Sequence, residues 1–118
     1  MIKLALLKSG EEVISEMKEM YASEQVVGYI LHNPCRAILT SPDIQATGEQ
    51  ESERKPVAIR LIPWMPLSKD ENIPVVADWV ISLVEPQDKL LEMYTKAVKT
   101  YEERKSENSD TTEQSESD

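Results

Sequence analysis

The chain has 118 residues, 40% of them apolar and 30% charged, with a formal net charge of −9. That size and balance give one domain with a modest core, and no apolar run is long enough to cross a bilayer as a helix. The acidic excess argues against broad phosphate binding driven by counterion release, while leaving room for a small basic rim at one face; neither DNA nor a membrane is expected as a partner.

The first element is the strand "IKLALL", with Ile2, Leu4 and Leu6 on one face and Ser9-Gly10 as the following turn. "SGEEVISEMKEMYA" then presents two readings. Val13, Ile14, Met17, Met20 and Tyr21 recur at helical spacing, and Ser9 with Glu12 matches a capping box, so local physics favours a helix. A strand would instead set Val13, Ser15 and Met17 against Ile14, Glu16, Lys18 and Met20, a poorer separation of apolar from polar. "VVGYILHNPCRAIL" reads as a long strand, bent or bulged at Asn33-Pro34. "SPDIQATGEQESERK" is a polar loop.

In "VAIRLIPWM", Val57, Ile59 and Leu61 share a face before Pro63 and Pro66 end the strand. "VVADWVISLV" has the cleanest alternation in the chain, with Val75, Ala77, Trp79, Ile81 and Leu83 together. These two strands are expected to form a hairpin joined by "PLSKDENIP". A helix is expected over 86–105, where Leu90, Leu91, Tyr94, Ala97, Val98 and Tyr101 make one stripe. Pro86 suits its first turn and Asp88 its dipole. "SENSDTTEQSESD" has no apolar residue, and 106–118 is expected to be a disordered acidic tail.

No motif here carries chemistry by itself. His32 and Cys35 form H-x-x-C, but the chain has no second His or Cys, so a single-chain zinc site lacks ligands. Cys35 has no evident base and reads as a small buried residue; alone, it cannot close an internal disulfide, which fits a reducing compartment such as the cytoplasm. "MIKLALLKSGEE" lacks the apolar length and cleavage pattern of a signal peptide. Glu11, Glu12, Glu16 and Glu19 read as a solvated face, and Gly10, Gly28 and Gly48 do not form a phosphate-cradling loop. The inventory points away from an enzyme and calls for no cofactor or metal.

The order of elements carries a resemblance. "IKLALLKSGEEVISEMKEMYASEQVVGYIL" looks like the first motif of Sm-like proteins, a short strand, a glycine turn, a long bent strand, a loop and another strand. "VVADWVISLV" sits where the shorter second motif would lie. The similarity is greatest to divergent Sm-like proteins encoded by marine cyanophages, over roughly residues 2–100, including "KSGE", "NPC" and "PWMPLSKDENIPV". It implies a mainly β fold: a strongly bent, five-stranded antiparallel open barrel over 1–85, followed by the helix and tail, with residues 11–20 a strand. It also implies a homo-oligomeric ring of roughly five to seven copies, in which the fourth strand of one subunit pairs with the fifth of the next.

By the same resemblance the protein would associate with single-stranded RNA, in the cytoplasm of a host if phage-encoded. The family's RNA-contact positions fall at Tyr21 and Gln25, where Asp and Asn are usual, and at Ala77-Asp78, where Arg-Gly is usual. Tyr21 could stack a base and Gln25 hydrogen-bond one, whereas Asp78 repels phosphate. The alternative is a ring that serves as a scaffold or interaction hub without RNA. Ile62, Trp64, Val76 and Val80 are the candidate subunit contacts, and Trp79 is expected inside the barrel.

Overall fold

A computed structural model describes the backbone of residues 1–40 and 58–116 and the side chains of those through residue 105. The polar loop beginning at Ser41 lies outside the described residues, as does Val57. The chain divides into two compact units, Met1–Pro86 and Gln87–Asp118. The first holds six antiparallel strands: β1 (Ile2–Leu7), β2 (Glu12–Ala22), β3 (Gln25–Thr40), β4 (Ala58–Pro63), β5 (Asn72–Val76) and β6 (Val80–Val84). A single 3-10 turn, Ala77–Trp79, separates the last two. The second unit holds the helix α1 (Asp88–Glu116).

Residues 12–22 are a strand, against their local helical preference. β2 is paired along one edge to β1 and along the other to β3. This double pairing occupies its backbone, and burial of Val13 and Met17 on one side outweighs propensity. β3 is continuous through Asn33-Pro34 but bulged there. Asn33 adopts φ +52°, and the β2 register slips between Ile14 and Glu16. Ser15, opposite the irregularity, is fully buried, and its Oγ lies 2.9 Å from the His32 carbonyl and 2.9 Å from that of Glu16. A hydroxyl there gives the disturbed ladder a replacement donor.

The bulge also divides the outer edge of β3. β5 pairs with Gly28–His32 and β4 with Cys35–Thr40, and the segment between them crosses the bulge. Trp64 N–H donates to the Pro34 carbonyl at 3.0 Å and Asn33 N–H to that of Glu71 at 2.8 Å. So the two final apolar segments do not form a hairpin with each other. β4 and β5 share β3, whereas β6 pairs with β1 at the opposite end of the strand order. There are six strands where five were expected, because Pro63, Pro66 and the Met65–Ser68 turn interrupt the place that one strand would fill.

Strand order β6-β1-β2-β3-β5 bends the sheet. Laid flat, its first and last members would stand about 19 Å apart. Yet Val76 and Val80 are four residues apart, a span of at most about 14 Å when fully extended and less through a 3-10 turn. The sheet therefore curls, and with no pairing between β5 and β6 it stays open. Inside the curl lie Ala5, Leu7, Val13, Met17, Leu31 and Val75, with Tyr29, Trp64, Val80 and Leu83 packed against them. The core side of β1 is thus Ala5 and Leu7, not the Ile2, Leu4 and Leu6 face.

The expected single face of Val75, Ala77, Trp79, Ile81 and Leu83 does not exist. The 3-10 turn and a register irregularity of β6 against β1 at Ile81 break the alternation, so Val75 is buried while Trp79 and Ile81 are 43% and 58% exposed. In the second unit, α1 begins with Asp88 in its first turn and continues past Lys105 to Glu116. No residue after Pro86 is Gly or Pro, so backbone chemistry supplies no stop at the expected end.

Gly28 marks the tightest approach in the sheet. A Cβ there would stand 2.6 Å from the Val75 carbonyl oxygen and 2.7 Å from Met20 Cε. Gly28→Ala is expected to lower stability by about 1–3 kcal/mol in urea unfolding. The β2–β3 turn has the opposite sign. Ser23 and Glu24 both hold positive φ, 53° and 71°, and Glu24→Gly should raise stability by about 1 kcal/mol by relieving the left-handed residue.

Candidate functional site

Three of the sequence candidates converge at one end of β3. Ala22 pairs with Gln25 across the two-residue turn, and Tyr21 with Val26. β5 ends opposite Gly28, three positions from Gln25, so the 3-10 turn bearing Asp78 leaves from this same end of β3. Tyr21, Gln25 and Asp78 are all exposed. The Tyr21 hydroxyl donates to Glu19 Oε1, two residues back on the same strand face. That hydrogen bond, and then the carboxylate's negative charge, hold the phenol above its ordinary pKa. The neighbourhood is therefore aromatic and amide in its contacts but acidic in its field, with Glu19, Glu24 and Asp78 exposed around it. It can stack a planar group and offer an amide; it cannot neutralise a phosphate.

The four candidate contact residues separate into two kinds. Val76 is 62% exposed at the end of β5, while Ile62 is half-buried on β4 opposite Arg36. Val80 and Trp64 pack against the core, so their side chains are committed within the unit. The two tryptophans have exchanged their expected places, with Trp64 inward and Trp79 outward. Two causes are visible: Trp79 lies in the 3-10 turn, outside any strand alternation, and a polar partner waits for the Trp64 indole. Its Nε1–H donates to Glu11 Oε1 at 3.1 Å.

Glu11, read from sequence as part of a solvated face, is instead a junction. The same oxygen accepts from Ser9 Oγ at 3.0 Å, and Arg36 Nη1 stands 3.9 Å from Oε2. One carboxylate thus ties the β1–β2 turn to β3 and to the segment after β4. The signal that could have located it is the short S-x-E turn beside an otherwise unpartnered tryptophan, which is too common to select alone.

Sheet edges remain on β4, β5 and β6. Since Asn33 and Glu71 form a hydrogen-bonded pair, alternation puts Ile73 and Val75 in the bonded phase and Pro74, opposite Ile30, in the other. The N–H that Pro74 lacks would have faced outward, so the proline costs the β3 ladder nothing and removes a donor from the outer edge. Along β6, Ile81 and Val84 are exposed, and Trp79 precedes them. These outward residues were not singled out in the sequence because unbroken alternation put Trp79 and Ile81 inside.

His32 Nδ1 lies 2.9 Å from Asn72 Oδ1, and Asn33 Nδ2 lies 3.3 Å from His32 Nε2. With the amide placed so, Nδ1–H donates to Asn72 and Nε2 accepts, joining the bulge to β5. Cys35 is half-buried, and burial raises its thiol pKa, which disfavours the nucleophilic thiolate. Among the described residues, no group of three or more His, Cys, Asp or Glu side chains could hold a metal ion, and no helix is long and apolar enough to cross a membrane. No family model matches the chain, and no curated protein matches it.

Trp64→Ala is expected to cost about 2–3 kcal/mol in urea unfolding, since it removes a large ring from the core and strands a Glu11 acceptor. Glu11→Ala should cost less, about 1 kcal/mol. In an ultraviolet pH titration one tyrosine should ionise above the ordinary range. Glu19→Gln should bring that transition down, because both the charge and the anionic acceptor disappear.

Proposed function

We propose that this protein is a non-enzymatic, ring-forming protein of Sm-like barrel architecture, associated with RNA. The observation that carries the reading is the strand order β6-β1-β2-β3-β5, curled by the three-residue 3-10 turn that links its two ends yet left open between β5 and β6. Here β4 and β5 together occupy the family's fourth strand and β6 its fifth. The outer edge of β5 in one copy would pair with the outer edge of β6 in the next, covering Val76, Ile81 and Val84. Repetition about a closed axis gives a ring, for which the resemblance implies roughly five to seven copies. Association with single-stranded RNA rests on Tyr21 and Gln25 as stacking and hydrogen-bonding groups. If the resemblance to cyanophage proteins holds for origin as well, this activity would sit in a host cytoplasm.

A second reading, a ring acting as a scaffold without RNA, is favoured by the carboxylates Glu19, Glu24 and Asp78 beside the candidate contacts. Solution mass tests the assembly: a mass of several chains at micromolar concentration is expected, and a monomer would sink the ring. Titration with U-rich and A-rich single strands at low salt decides between the readings. Saturable binding supports RNA association, and its absence for both strands leaves the scaffold.

A further inference from the structure

The 3-10 turn does more than join β5 to β6. It holds Trp79 at the surface, 43% exposed, at a fixed place, because the Trp79 carbonyl accepts the Lys8 N–H at 2.9 Å. The Lys8 amine stands 6.0 Å from the centre of the indole ring. Lys8 is itself exposed and has no carboxylate partner among the described residues. The strand end after Leu7 thus presents an exposed indole with a compact cation over one face of its ring. Asp78 precedes Trp79 in a helix of about three residues per turn, so its side chain leaves about 120° away from the indole.

We infer that Lys8 and Trp79 form a contact site for one nucleotide of single-stranded RNA, the indole stacking the base and the lysine amine meeting a phosphate. This rests on the RNA reading and moves its main contact away from the rim of Tyr21, Gln25 and Asp78. Charge decides between the two places. The rim offers an aromatic ring whose hydroxyl is tied to a carboxylate, amid Glu24 and Asp78. The Lys8–Trp79 pair offers the combination that sequence-tolerant single-strand binders use, a stacking platform with a cation along the backbone. The other occupant of an exposed tryptophan near a free sheet edge is a second copy of the chain. Lysine argues against it, being depleted in the buried centres of protein interfaces.

The test uses the whole protein, a fluorescent oligouridylate and an oligoadenylate, with affinity measured across a salt series. Trp79→Ala should weaken binding about five- to a hundredfold, with Trp79→Phe recovering most of it. Lys8→Gln should lower the slope of log affinity against log salt by about 0.7, the value for one phosphate contact on a single strand. Tyr21→Ala should have the smaller effect of the two aromatic changes. Wild-type protein that binds neither strand overturns the RNA reading itself. Wild-type binding that Trp79→Ala and Lys8→Gln leave intact overturns this site alone. A Trp79→Ala protein that loses its assembled mass while its chains still bind RNA assigns the indole to the subunit contact and overturns it too.

Discussion

The four-residue step from Val76 to Val80 governs the shape of the β unit. Those residues must carry the chain from one extreme of the strand order to the other, and a flat sheet is too wide for them. Curling is the solution, and it determines what else is needed. A curled sheet has a small interior, filled here by Ala5, Leu7, Val13, Met17, Leu31 and Val75. Strands as long as β2 and β3 must bend to follow it, and the Asn33 bulge and the closely approached Gly28 lie on the most bent of them. Trp64, tethered by Glu11, packs against that interior from the segment after β4.

Much of this was legible in the chain. The strand at 2–7 (though not which of its faces turns inward), the apolar run of β3 and the Asn33-Pro34 interruption each follow from side-chain period and proline chemistry. β2 was not legible from local physics, because Glu, Met and Lys at helical spacing favour a helix until partners on both edges are supplied. Those partners are distant in sequence, so only the resemblance in element order predicted the strand. The largest error concerned residues 75–84. A clean alternation assumes an unbroken strand, but Trp79 lies in a 3-10 turn and Ile81 at a register irregularity against β1; both are exposed, while Leu83 keeps the core side its spacing implied. Nothing in Ala77-Asp78-Trp79 announces that turn; the need to reach β1 imposes it.

The candidate site was legible as a set of positions but not as an electrostatic environment. The resemblance, not spacing, put Tyr21 and Gln25 in the loop after the second strand and Asp78 in the last loop, and the register of β3 brings them to the same end. What spacing could not show is that Glu19 holds the Tyr21 hydroxyl, or that Lys8, remote in sequence, stands beside the Trp79 indole. Both facts depend on which side chains face the same way, and that follows from strand phase and turn geometry rather than composition.

Pro74 has a consequence for how copies can add to one another. A growing stack of identical strands needs a donor and an acceptor at alternate positions on every rung, since each layer templates the next. An edge missing one donor in its middle can accept a single complementary neighbour whose acceptor at that point turns to water, but it is a poor template for indefinite repetition. The same residue that leaves β3 fully bonded therefore favours finite assemblies over fibrils. A chain with exposed valine and isoleucine along its sheet edges would otherwise be open to that failure.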